Sequence, residues 1–309
     1  MRAVMGSSSV GGILWRMVIN ANKRDLQGQV PALLALCRRA GAAICEHYAH
    51  PSAGEFEEKG DASPLTRADL ASHAILSEGL GATGESLPLL SEESTPAEIA
   101  DRHQWSRYWL VDPLDGTKEF LGRTGEFTIN VALIENHRPV LGVLYRPLDD
   151  LAYVGIPGQL AKRYRLTQGE GWSESPLAAR PLSDSRDLLV LASRRHQGDR
   201  LLACLKWLES TWGPVARENM GSALKFCAMA EGRGDFYPRF SPCCEWDTAA
   251  GQAILEAAGG ALLGLDGKPL RYNMGESLYS PPFYALADAA HPLWHALLDT
   301  PFNAPLNAH

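Results

Sequence analysis

Nowhere do these 309 residues hold an apolar run of the roughly 20 needed to cross a bilayer. The most apolar N-terminal stretch, residues 10–19, is broken by Gly11, Gly12 and Arg16. No integral membrane span is expected, and the stretch is a poor secretory signal, since no clear small-residue cleavage site follows it. Cysteine is scarce and unpatterned: six in the chain, none in a C-x-x-C pair, none with histidine at zinc-ligand spacing. A chain this long builds a core without staples, so a disulfide framework is not expected. A reducing, cytoplasmic compartment fits best, with peripheral association at the cytoplasmic side of an inner membrane left open. The vicinal pair Cys243 and Cys244 lacks the surroundings of a redox motif.

Positive charge is also short. The 29 Lys and Arg against 36 Asp and Glu leave a formal net charge of -7. That argues against a broad nucleic-acid face. Any phosphate site must then be made positive locally, by metal ions or a few placed cations. Internal repeats are absent. With hydrophobic residues at 45% and charged residues at 21%, the composition is that of an ordinary globular protein. Oligomeric state is not legible.

Hydrophobic patterning divides the chain. Residues 1–29 read as a loosely ordered extension, with Met1 and Met17 both open as starts. Pro31 is expected to open a helix whose apolar face carries Leu33, Cys37, Ala40, Ile44 and Tyr48. Residues 51–63 read as a polar loop. A second helix is expected from about Thr66 to Leu80, with Leu70, Ala74 and Ile75 on its apolar side. Two short apolar runs, 87–90 and 108–111, read as buried strands with acids at their ends. The alternation at Phe127, Ile129, Val131 and Leu133, followed by a turn and residues 140–145, predicts a hairpin, which residues 151–156 and 163–166 extend. After about residue 185, helices alternate with short strands, and one of those helices is expected to span 222–231. The fold class is therefore α/β: an α+β N-terminal half (30–185) expected to carry the metal and catalytic groups, and an α/β C-terminal half (186–309) expected to bind substrate.

The most informative stretch is Asp112-Pro113-Leu114-Asp115-Gly116-Thr117. Two carboxylates flank a proline just after a strand, and Pro113 is expected to stop that strand. Gly116 permits close backbone approach, and a helix opening at Thr117 would aim N–H groups at an anion. Glu92 and Glu93 also follow a strand end, and Trp246-Asp247 precedes an apolar helix. Alone, each acid reads as a solvated loop residue or, for Asp247, a helix cap. Together, Glu92, Asp112, Asp115 and Asp247 would put four carboxylates in one pocket, which demands cations. Oxygen donors favour Mg²⁺ or Mn²⁺ over zinc.

These blocks, in this order, resemble the inositol monophosphatase superfamily of Mg²⁺-dependent, lithium-sensitive phosphatases. The resemblance spans about residues 30–287 and implies a layered α-β-α-β-α sandwich. It further implies two or three Mg²⁺ per site, with Mn²⁺ as a substitute. Glu92, Asp112 and the Leu114 carbonyl would hold one ion, and Asp112, Asp115 and Asp247 a second. By the same resemblance Asp69, in Thr66-Arg67-Ala68-Asp69, and Thr117 would activate the attacking water. Glu92, Leu114, Asp115, Gly116, Thr117 and Asp247 would also touch substrate.

The continuation Lys118-Glu119-Phe120, with 125–130, 193–196, 222–227 and 237–240, is similar to the bacterial 3′(2′),5′-bisphosphate nucleotidase branch. That similarity implies His196, Ser222, Lys225 and Arg239 as contacts to a small nucleotide bisphosphate, whose 3′-phosphate would be hydrolysed to give AMP. An inositol or sugar phosphatase is the alternative within the class, and a non-catalytic nucleotide sensor the alternative outside it. A bisphosphate brings a phosphate that is not hydrolysed and needs cations of its own, which agrees with Lys225 and Arg239.

Overall fold

A computed structural model describes residues 25–50, 56–58, 64–82, 86–168, 171–194 and 198–303. The described residues open on α1 (Leu26–Ala49), capped by Asp25, whose carboxylate accepts the Gly28 N–H at 2.8 Å. This cap starts the helix earlier than expected and leaves Pro31 inside it. A two-residue ladder, β1 (Glu57–Glu58) with β2 (Pro64–Leu65), leads to α2 (Arg67–Gly81). The side of α2 that packs inward carries Ala68, Ser72, Leu76 and Leu80, together with Asp69. Leu70 and Ala74, expected on the apolar side, are exposed.

Seven strands form the first sheet, in chain order: β3 (Leu89–Ser91), β4 (Arg107–Asp115), β5 (Thr128–Glu135), β6 (Arg138–Arg146), β7 (Leu151–Ile156), β8 (Leu160–Leu166) and β9 (Trp172–Pro176). Only β3 and β4 run parallel. The period-2 rule divides the strand side chains between two cores. Trp109, Val111, Ile129, Val131 and Leu133 face α1 and α2, while Tyr108, Leu110, Ala132 and Ile134 face the other way. With both faces covered, β4 and β5 read as near-continuous apolar runs.

The remaining elements are β10 (Leu188–Ala192), α4 (Asp199–Thr211), β11 (Val215–Asn219), α5 (Leu224–Ala230), β12 (Phe236–Arg239), β13 (Cys243–Cys244), α6 (Ala249–Ala257), β14 (Ala261–Gly264), β15 (Tyr279–Ser280), β16 (Phe283–Leu286) and α7 (Leu293–Leu298); α3 (Thr117–Leu121) follows β4. They build a five-stranded sheet ordered β11-β10-β12-β16-β14. Helices α5 and α6 lie between the sheets, and α6 rests on β5, β6 and β7. Gly142 and Gly155 permit this: a Cβ there would stand 2.4 Å from the Ala250 carbonyl and 2.3 Å from the Ile254 Cα. On the far side, Trp294 of α7 and Leu208 of α4 close a third core over Phe236 and Tyr284. The result is the five-layered α-β-α-β-α sandwich. The middle core draws on residues from Leu90 to Ala287, so both halves of the chain contribute to it.

Strands β9 and β16, and the two-residue strands β1, β2, β13 and β15, are additions to the sequence reading. The four buried residues of β16 follow Pro281 and Pro282 and show no alternation. No helix among the described residues is long and apolar enough to cross a membrane.

Candidate active site

The site gathers where β3, β4 and the turn before α6 end on one side of the first sheet. β4 does not stop at Pro113. It pairs with β5 through Asp112↔Asn130 and again through Asp115↔Thr128, with a register shift between. One strand spends three residues where the other spends two, which is a β-bulge. In a regular strand, residues three apart point to opposite faces. The extra residue brings Asp112 and Asp115 to the same side. Pro113 fits in the bulge because the ladder asks no N–H of it there, and its carbonyl accepts from the buried Ser72 hydroxyl at 2.7 Å.

Asp112, Asp115 and Asp247 each bring a carboxylate oxygen within 4.8 Å of the others. Asp112 is buried, at 1% exposure, and accepts the Leu114 N–H at 3.0 Å. Burial, then the charges of Glu92, Asp115, Asp247 and Asp69, hold its carboxyl well above the usual range. Asp247 is pushed up to about 7, by burial first and then by Asp115 and Glu92, with Arg239 opposing. Such a donor set, all hard oxygen and mutually repelling, suits a hard divalent cation that would cancel the repulsion. Glu92 and Leu114 line the same cavity of about 600 Å³, with Gly116, Thr117 and Lys118.

Asp69 is more than a solvated acid on a helix. It is 1% exposed and closes a capping box, its Oδ2 accepting from the Thr66 N–H at 2.8 Å and from the Thr66 hydroxyl at 2.5 Å. Its other oxygen accepts a long bond, 3.4 Å, from the Thr117 hydroxyl, which also reaches the Leu114 carbonyl at 3.2 Å. Asp69 and Thr117 therefore stand together at the edge of the carboxylate cluster. Gly116 takes φ +92, and a Cβ there would lie 2.8 Å from the Glu126 carbonyl. Only glycine fits both the angle and the space.

Ser222 is not on a helix, as the spacing to Lys225 suggested. It precedes α5 at φ +50. Its hydroxyl donates to Asp115 Oδ2 at 2.7 Å, and the Ala223 N–H donates to the same oxygen at 2.6 Å. Lys225 is buried, not solvated. Its ammonium donates to the Met220 and Ser222 carbonyls at 3.1 and 2.7 Å and lies 5.0 Å from the Tyr237 ring centre. Burial, then the neighbouring Arg239, lowers its pKa to about 8. Arg239 donates to the Ser241 and Pro242 carbonyls at 3.3 and 2.8 Å. Ser222, Lys225 and Arg239 line a cavity of about 130 Å³ beside the carboxylates, with Lys118 and Arg194 on its wall. His196 lies outside the described residues. Asp247 is not the cap of α6, a place Thr248 takes; it ends a 3₁₀ turn, Glu245–Asp247, and accepts the Cys244 N–H at 3.0 Å.

Sequence reasoning missed the polar residues that support this site. Thr128 and Asn130 are fully buried in β5. The Thr128 hydroxyl is 2.8 Å from that of Ser222, and the Asn130 amide donates to the Trp246 carbonyl at 3.4 Å. Their polar types at inward positions of an otherwise apolar strand were the available signal. Glu126 accepts the Gly221 N–H at 3.0 Å and pairs with Arg194 at 2.6 Å, which braces the turn that presents Ser222. Cys243 and Cys244 also line the site. Burial pushes the Cys243 thiol up to about 12, and burial and nearby carboxylates raise that of Cys244, so both stay protonated. Their pairing with Ser280 and Tyr279 ties that wall to β15.

Residues 25–298 match the inositol monophosphatase family. The 3′(2′),5′-bisphosphate nucleotidase CysQ of Salmonella typhimurium is 44% identical over 250 residues, covering 80% of this chain and 95% of that protein. CysQ of Escherichia coli strain K12 is 41% identical over the same length. Among solved structures, CysQ from Bacteroides thetaiotaomicron, a bacterial member of that family, superposes with a TM-score of 0.70 at 38% identity, covering 84% of this chain and 97% of that one.

Proposed function

This chain belongs to the inositol monophosphatase family, and from that premise we propose that it is a 3′(2′),5′-bisphosphate nucleotidase that releases the 3′-phosphate of adenosine 3′,5′-bisphosphate. One observation carries the choice of a bisphosphate: the carboxylate cluster opens directly onto a cavity whose wall brings Lys118, Lys225, Arg239 and the Glu126-paired Arg194 together against the single further acid Glu119. In a protein of net charge -7, that cation density beside an acidic site suits a second phosphate that is held and not cleaved. Next to it, sharing Ser193, Tyr237 and Arg239, lies a cavity of about 390 Å³ walled by Phe240, Pro238 and Arg200. Its aromatic and aliphatic lining suits a nucleoside, and the likeness to named nucleotidases over 80% of the chain agrees.

Glu92, Asp112, Asp115, Asp247 and the Leu114 carbonyl would hold Mg²⁺, which when bound supplies charge to polarise the phosphoryl oxygens and an acidified water. The chain's own residues do the rest. Asp69, fixed by its capping box, orients the Thr117 hydroxyl, and the pair accepts the proton of the attacking water. Water oxygen bonds to phosphorus, the bond from phosphorus to the ribose 3′-oxygen breaks, and that oxygen takes a proton from solvent as it leaves. The backbone at Gly116 and Thr117 contacts the cleaved phosphate, while Arg239 and Lys225 hold the other. Ser222 acts mainly by fixing Asp115. The test is product identity: with Mg²⁺, adenosine 3′,5′-bisphosphate should give 5′-AMP and phosphate. Adenosine 3′-phosphate as the product would contradict the assignment.

A further inference from the structure

Behind the carboxylates lies a second polar cluster that none of these roles uses. Arg102, Asn273 and Glu245 are 6%, 2% and 5% exposed. Both carboxylate oxygens of Glu245 accept the backbone N–H of Asn273, at 3.0 and 2.8 Å. Asn273 sits at φ +57, a left-handed conformation that asparagine tolerates better than most residues. Its side-chain amide donates to the Arg102 carbonyl at 2.6 Å, and its side-chain oxygen accepts from the Arg102 guanidinium. That guanidinium also donates to the Gly275 and Glu276 carbonyls, at 2.9 and 2.5 Å. Burying a guanidinium and a carboxylate together costs stability compared with an apolar cluster of the same volume. What they join is therefore informative.

Arg102 stands in the excursion between Glu92 and β4, the strand of Asp112 and Asp115. Glu245 opens the three-residue turn that ends in Asp247. Glu245 is gripped through its main chain as well: its N–H donates to Leu278 at 2.9 Å, and its carbonyl accepts from the Thr248 N–H and hydroxyl at 3.2 and 3.1 Å. So short a turn rotates as a unit. What fixes Glu245 therefore bears on the Asp247 carboxylate, which the Cys244 N–H at the start of the turn also holds, at 3.0 Å.

We propose that Glu245, held by Asn273, which Arg102 anchors in turn, is a positioning residue for the cation site, setting the Asp247 carboxylate against Asp112 and Asp115 and tying that turn to the loop after Glu92. This rests on the reading of those carboxylates as metal ligands. Groups that orient a ligand from behind typically contribute tenfold to a hundredfold in metal affinity.

The experiment is a titration of the full chain with Mn²⁺, followed by the paramagnetic resonance of the free ion, so that no turnover is needed. Glu245→Gln keeps the shape and loses the paired acceptors. Asn273→Gly keeps the left-handed backbone and its N–H while deleting the link to Arg102, and carries the test should Glu245→Gln fail to fold. The expected result is a Mn²⁺ dissociation constant raised about tenfold or more in Glu245→Gln, and raised less in Asn273→Gly. Folded variants that lose thermal stability yet bind Mn²⁺ as the wild type does would overturn the proposal and leave the cluster a structural staple. A wild-type chain that binds no Mn²⁺ would overturn the metal-site reading and this proposal together.

Discussion

Asp112 and Asp115 are three residues apart on one strand, yet their carboxylates converge, because the bulge at Pro113 and Leu114 turns Asp115 onto the side Asp112 already faces. The two acids therefore share one environment, and the charge of Asp115 raises the cost of ionising Asp112. Asp112, the more deeply buried, is surrounded by four other carboxylates whose charges act on it. Its proposed place is between two cations.

Asp112→Asn should accordingly abolish turnover. The amide keeps the volume and removes the charge that would bridge the ions. Steady-state rates at saturating Mg²⁺ should fall far more than tenfold; a loss of less than about tenfold, a barrier change under about 1.4 kcal/mol, would show that Asp112 bridges nothing.

Thr117→Ala should lower kcat on the order of a hundredfold or more, the range of a positioned proton acceptor, with metal affinity little changed. Calorimetric titration separates the two effects. Lost Mg²⁺ binding would make Thr117 a structural residue of the loop, acting through its bond to the Leu114 carbonyl.

The metal-free protein should carry a pH signature. Asp247 sits at about 7 in the folded chain against an ordinary 3.8, so between those values the folded state binds more protons than the unfolded state. Its contribution is stabilising below about pH 4 and is lost as pH rises through about 7. With a chelator present at neutral pH, Asp247→Asn should therefore melt above the wild type, and the gap should shrink on acidification. Mg²⁺ should raise the melting temperature of the wild type more than that of the variant, which keeps Glu92, Asp112 and the Leu114 carbonyl. A variant less stable than the metal-free wild type at neutral pH would refute the repulsion argument.

Arg239→Met should single out the nucleotide. Arg239 lines the phosphate cavity and the adjoining aromatic cavity, and a charge-assisted contact is worth roughly 1.5–3 kcal/mol. The kcat/KM for adenosine 3′,5′-bisphosphate should fall on the order of tenfold to a hundredfold, while slow hydrolysis of inositol 1-phosphate stays nearly unchanged. Equal losses on both would place Arg239 in support of the wall that Ser241 and Pro242 form.

Much of this arrangement was legible before the structure. Period-2 alternation exposed the hairpin of β5 and β6, and the acids at strand ends pointed to the cluster. What stayed hidden came from long-range geometry. The bulge needs the β5 partner to define it, so Pro113 read as a stop. The left-handed Ser222 broke a helix that spacing alone continues. Leu70 is apolar yet exposed, because the inward side of α2 is the one that carries Ala68, Leu76 and Leu80 into the core together with the polar Asp69 and Ser72, which hydrophobic patterning alone does not place there. Lys225 reads as a surface lysine until the carbonyls that hold it are seen.

The most direct measurement is phosphate release, with Mg²⁺ and again with chelator, from adenosine 3′,5′-bisphosphate, inositol 1-phosphate and fructose 1,6-bisphosphate under identical conditions. The account predicts that adenosine 3′,5′-bisphosphate leads in kcat/KM by at least about tenfold, the worth of one charge-assisted contact, and that chelator removes the activity. Inositol 1-phosphate or the sugar phosphate turned over as well or better, or activity that survives the chelator, would contradict it.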